Sequence, residues 1–133
     1  MTSLRSSTIG AVAAGGALGT GARDALARAF TVTPGHFPVT ILVVNLLGAL
    51  ALGLAHSALL PGRDRLRPFV AVGFLGSFTT FGSVMVAAVD LGRLGSGATG
   101  WTYLAATIGG GLAAAWTGLR GGAALVGSQV APR

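Results

Sequence analysis

Four apolar stretches of about 20 residues each occupy this sequence from Ser7 to Leu119, separated only by short polar or proline-bearing segments. A helical run of that length matches the hydrocarbon core of a bilayer, and in lipid each backbone must satisfy its own hydrogen bonds. The pattern predicts an all-α integral membrane protein. Its four transmembrane helices fall at about residues 7–26, 39–60, 69–91 and 99–119, in a single membrane domain over 1–133. Charged residues make up 9% of the chain, against about a quarter in soluble domains, and no length is left for a soluble domain.

All nine basic residues are Arg, and the acids are Asp24, Asp64 and Asp90, for a net charge of +6. These arginines punctuate the apolar runs and do not gather with aromatics on one basic face, so membrane lipid is the expected surrounding and nucleic acid is not a partner. The acids stand at span ends or in a loop, which nearly excludes carboxylate chemistry, and the chain reads as no enzyme. Without Cys there is neither disulfide nor thiolate metal site. His36, in a loop, and His56, near a span end, have no second ligand close in sequence. The start, Met1 to Ser7 followed by an Ala/Gly-rich stretch, has the look of a signal peptide, but three further spans follow and it reads as the first helix.

The first span sets Ala11, Gly15 and Gly19 on one helical face, which suits close helix packing. Pro34, Gly35 and Pro38 make Thr31 to Pro38 a loop. The second span ends at Pro61-Gly62, and Arg63-Asp64-Arg65-Leu66-Arg67-Pro68 forms a short interfacial loop. Mid-span three, Gly73 to Ser83 is dense in glycine, hydroxyls and aromatics, and a broken helix is expected there. Broken helices in membranes mark ion or substrate sites. Trp101 and Trp116 suit the two interfaces of span four, and the tail from Arg120 is expected to be loosely ordered.

Asn45 is costly in hydrocarbon unless its amide finds a partner, so it faces either a neighbouring helix as a packing device or a polar conduit. Tyr103 and Thr107, four apart, lie one above the other on a helix and can join Asn45 and the span-three hydroxyls in a polar track. These groups donate hydrogen bonds and none is anionic, which suits a small anion. Phe78 and Phe81 either pack in the core or offer electropositive ring edges to that anion. Arg23 is a snorkelling anchor or a vestibule charge that draws anions in. Asp90, on the same side of the membrane, either pairs with Arg23 or serves a helix end.

The segment Gly73-Phe-Leu-Gly76-Ser-Phe-Thr79-Thr80-Phe81-Gly-Ser83 resembles the third helix of the Fluc (CrcB) family of fluoride channels. Gly15 to Arg23 is similar to that family's first-helix glycine motif, Val44-Asn45-Leu-Leu-Gly48 to its second-helix motif, and Tyr103 with Thr107 to its fourth-helix polar pair. The resemblance implies a four-helix subunit in an antiparallel dimer, forming a passive fluoride-selective channel that protects the cell from fluoride. It implies that Asn45, Phe81, Tyr103 and Thr107 line the fluoride path. The backbone carbonyls of Gly76 and Thr79 would hold a structural Na⁺ at the dimer centre, in keeping with the carbonyls that an unwound segment offers to a cation. The chain departs from the family at Val84, where a second phenylalanine is usual, at Ala87, where many members carry Glu, and at Gly111, where a hydroxyl is expected.

Two other classes compete. A small multidrug transporter, a cation/proton antiporter of similar length, needs a membrane-embedded carboxylate that this sequence lacks; a non-transporting scaffold would pass no anion. Orientation follows from the arginines. Arg5, Arg63, Arg65, Arg67, Arg120 and Arg133 share the side of the termini, against Arg23, Arg28 and Arg93 opposite. The positive-inside rule then puts both termini in the cytoplasm, in the plasma membrane. A chain with such a bias pairs antiparallel with an oppositely oriented homologue more readily than with itself.

Overall fold

A computed structural model describes residues 6–30, 36–94 and 97–130. Helices cover each of the four apolar stretches. The first helix, α1, spans Ser6–Ala29. The second, α2, spans Val39–Leu54 and runs on in wider π winding through Ala55–Leu59. A turn at Pro61-Gly62 follows, where Gly62 takes a left-handed φ of 70° that costs glycine nothing. Next, α3 starts with Pro68 in its first turn, where a missing N–H does no harm. It is π-wound over Pro68–Leu75 and α-wound over Gly76–Phe78. Then α4 covers Phe81–Leu94 and α5 covers Gly97–Val130. Among the described residues there is no strand.

Glycines set the two main crossings. A Cβ on Gly15 would fall on the Phe69 carbonyl and one on Gly19 on the Phe74 carbonyl, while Gly73 meets α1 at Val12, so α1 and α3 lie backbone against backbone. The stripe seen in the sequence is used as expected. On the other side Gly53 faces the Ala115 carbonyl and Gly118 the Leu50 carbonyl, bringing α2 against α5 in the same way. Close approach of this kind lets helices associate by dispersion where water gives no driving force.

Buried side chains are few. One cluster joins Val84, Ala88 and Leu91 of α4 to Tyr103 of α5, with Ile41 and Leu42 packed on it. Another gathers Ala55, Leu60 and Leu75 near the Pro61-Gly62 turn. Large apolar residues such as Leu18, Val72, Val86 and Leu112 face outward, as in a chain whose surroundings are lipid. Val39–Leu59 and Pro68–Leu94 are each long and apolar enough to cross a membrane.

Two local expectations meet differences, and a third falls partly outside the described residues. The helix does not end at Arg120: α5 continues to Val130, and Gly122, just past Arg120, docks on Leu54 and Ser57 at the end of α2. Its 34 residues give about 51 Å of helix, longer than the hydrocarbon core. No Arg23–Asp90 pair forms; the Asp24 carboxylate takes the Arg28 Nε at 2.7 Å, one helical turn away. That carboxylate raises the already high pKa of Arg28. Of the loop expected over Thr31 to Pro38, residues 31–35 lie outside the described residues, as do Arg5 and Arg133. From His36 to Pro38 the chain is non-helical, and the Thr40 hydroxyl donates to the Phe30 carbonyl at 3.3 Å across the connection.

Candidate functional site

The helix that runs from Pro68 breaks at Thr79-Thr80. Thr79 is extended, with φ −77° and ψ 153°, and α4 restarts at Phe81. Weak helix formers permit such a break, but its position is set by a residue 35 positions away. The Thr80 N–H donates to Asn45 Oδ1 at 2.9 Å, and Asn45 Nδ2 donates back to the Thr80 carbonyl at 3.4 Å and to the Ile41 carbonyl at 2.9 Å. One side-chain amide thus substitutes for backbone on both sides of Thr80. Thr80 in turn caps α4: its hydroxyl accepts the Ser83 N–H at 3.2 Å and donates to Ser83 Oγ at 3.1 Å.

These bonds free two carbonyls. In a continuous helix Gly76 would bind the Thr80 N–H and Thr79 the Ser83 N–H; both donors are diverted to side chains. The Leu75 carbonyl, by contrast, is satisfied twice, by the Thr79 N–H at 3.1 Å and the Thr79 hydroxyl at 3.0 Å. Among the described residues Gly76 and Thr79 therefore offer unpaired oxygens, the donor set that suits a hard cation such as Na⁺.

The break opens on two clefts. One, of about 340 Å³, is lined by Asn45, Gly76, Thr79, Thr80, Phe81 and Thr107 together with Val84 and other apolar residues. The structure thus brings five of the residues singled out in the sequence to one surface, and no acid lies among them. The other cleft, of about 510 Å³, holds Arg23, Asp24, Thr20, Thr40, Thr80 and Ser83. Thr80 borders both. With Asp24 held by Arg28, the half-buried Arg23 is the positive charge of the second cleft that makes no ion pair among the described residues.

Not every donor is free. Thr107 gives its proton to the Tyr103 carbonyl at 2.8 Å, and both Asn45 amide protons are engaged. Phe78 stacks on Phe74, ring centroids 6.0 Å apart, whereas Phe81 is 73% exposed, so the two phenylalanines part into packing and open edge. Tyr103 stands outside the cleft and is fully buried. Its hydroxyl completes no hydrogen bond with any protein group among the described residues. A buried unpaired hydroxyl costs about 1–3 kcal/mol.

The family model described as CrcB-like protein, Camphor Resistance (CrcB), matches residues 10–119. The chain belongs to the CrcB family. It is a helical membrane protein. Relatives of this CrcB chain include the fluoride-specific ion channel FluC of Stutzerimonas stutzeri, 42% identical over 82% of this chain and 91% of that one. The fluoride-specific ion channel FluC 2 of Symbiobacterium thermophilum is 43% identical over 82% of this chain and 92% of the relative. The fluoride-specific ion channel FluC of Paracoccus denitrificans is 40% identical over 86% and 93%.

Within this CrcB fold, sequence reasoning missed Thr80 and Ser83 as individual residues, although the spacing of Thr80 and Ser83 ahead of an apolar run is a readable cap signal. It also missed Phe37, which packs edge-on to Tyr103 at 5.4 Å; nothing in a loop phenylalanine's sequence context marks it.

Proposed function

We propose that this chain is one subunit of a fluoride-selective channel that lets fluoride leave the cell passively and so protects it from fluoride toxicity. The observation that carries the reading is the cleft at the Asn45-pinned break: hydroxyls, an amide and an exposed ring edge line it, and no carboxylate does. Such a lining favours an anion and removes the group a cation/proton antiporter needs. The relatives named as fluoride-specific channels, which this chain matches over most of their length, support the choice of fluoride.

In this reading Arg23 raises the local anion concentration at the mouth of the larger cleft. Fluoride then passes Asn45, the Phe81 edge, Thr107 and Tyr103, and the ring edge and the two hydroxyls take the place of its water shell. Thr107 can turn its hydroxyl from the Tyr103 carbonyl to the anion, because a hydroxyl rotates to suit its acceptor. Asn45 contributes by fixing the wall as well as by bordering the path. Gly76 and Thr79 would hold a Na⁺ through their carbonyls, supplying fixed positive charge where two subunits meet.

The reading further takes the four helical runs as four spans in the plasma membrane, with both termini cytoplasmic by the arginine distribution. Two subunits pair antiparallel. The outward-facing Phe81 and the accessible Gly76 are consistent with a second chain at the break, and the arginine bias favours an oppositely oriented homologue over a second copy. The test is fluoride efflux from liposomes carrying this chain alone and with any co-encoded relative. Rapid, fluoride-selective efflux is expected in at least the second case; none in either case would sink the reading.

A further inference from the structure

Tyr103 is the chain's single tyrosine, and among the described residues its hydroxyl is the buried polar side-chain atom left without a protein partner. Two apolar side chains pack with this tyrosine. Val84, 3% exposed and in the first turn of α4, lines the smaller cleft and belongs to the same buried cluster as Tyr103. Phe37 stands at right angles to the tyrosine ring, 87° between planes, from the non-helical residues just before α2. We propose that Phe37 is a selectivity-determining residue, which keeps water from the Tyr103 hydroxyl so that this donor meets an arriving anion dry.

The inference rests on the fluoride reading and deepens it. A donor already bonded to water exchanges one hydrogen bond for another when an anion arrives, and little is gained. A dry, unpaired donor held in place gains the whole bond and needs no reorganisation. The gain rises with the basicity of the acceptor, which ranks fluoride above the larger halides. Phe37 is suited to the task. Its backbone carbonyl is fixed by the Val39 N–H at 2.9 Å, and Pro38 beside it is buried, while its own ring packs edge-on against the tyrosine ring.

The experiment uses the full chain in liposomes, with its relative where one is needed for transport, as wild type, Phe37→Ala, Phe37→Leu, Tyr103→Phe and the Phe37→Ala/Tyr103→Phe double variant. Acetylation by N-acetylimidazole reads access to the hydroxyl without reference to transport, and a chain with one Tyr and no Lys gives an uncluttered signal. Fluoride and chloride efflux read selectivity. Phe37→Ala is expected to acetylate about tenfold faster and to lose about tenfold in the fluoride-to-chloride ratio, the share of one hydrogen bond. Phe37→Leu should stay near wild type in both. Tyr103→Phe should lose the same selectivity and make the Phe37 change silent. Equal acetylation of wild type and a normally eluting Phe37→Ala protein overturns the proposal. So does an unchanged ion ratio in Tyr103→Phe, which holds even if Phe37→Ala fails to fold. A wild type that passes no fluoride with any partner defeats the channel reading and the selectivity role together, whereas acetylation still decides separately whether Phe37 covers Tyr103.

Discussion

Asn45 holds a helix break open with a single amide, bonding to both backbone groups of Thr80. Asn45→Asp keeps the acceptor for the Thr80 N–H but turns the other oxygen toward the Thr80 and Ile41 carbonyls, where a donor is required. We expect fluoride efflux near background and a loss of at least about 2 kcal/mol in stability, read by liposome flux and by thermal unfolding in detergent. Unchanged flux in a well-folded protein would take Asn45 out of the site. Thr80→Ala removes the α4 cap and should cost about 1 kcal/mol by chemical denaturation, while Thr80→Ser, which keeps the hydroxyl, should cost much less. The need for a partner at Asn45 is legible in the sequence, since an amide cannot stay unpaired among Val44, Leu46 and Leu47. Which partner it has is not legible, because Thr80 is brought to it only by packing of distant helices.

Between elements, contacts are made largely by glycine, and two substitutions separate packing from propensity. Gly53→Ala puts a methyl on the Ala115 carbonyl where α2 crosses α5, and a loss of about 1–3 kcal/mol is expected. Gly10→Ala, where nothing lies within 4 Å of the added carbon, should be neutral or gain up to about 1 kcal/mol from helix propensity. Denaturant midpoints of the purified variants compare the two; equal losses would show that the crossings are not glycine-limited. The four helical runs were readable because apolar length and proline punctuation carry that information directly. The far end of α5 was not. Gly121 and Gly122 are poor helix formers, and their seat against Leu54 and Ser57 depends on packing of distant segments that the local sequence does not show.

At the scale of the molecule, Gly76 separates a subunit's own needs from those of an assembly. A Cβ there meets nothing closer than the Ala71 carbonyl at 3.6 Å, an ordinary contact. Gly76→Val should therefore leave helicity by circular dichroism within about a tenth of wild type yet abolish both dimer and flux. A normal dimer with normal flux would remove the proposed site for Na⁺. Partner choice has its own test: a reporter on either terminus should read cytoplasmic alone, and termini on both sides together with a functional homodimer would overturn the pairing with an oppositely oriented homologue. The carbonyls set loose at Gly76 and Thr79 also bear on how the subunit fares alone. Unbonded backbone is not tolerated against lipid, so the break at Thr79-Thr80 requires shelter from α2 and Asn45 on one side, and a subunit stripped of its neighbours would have reason to wind shut.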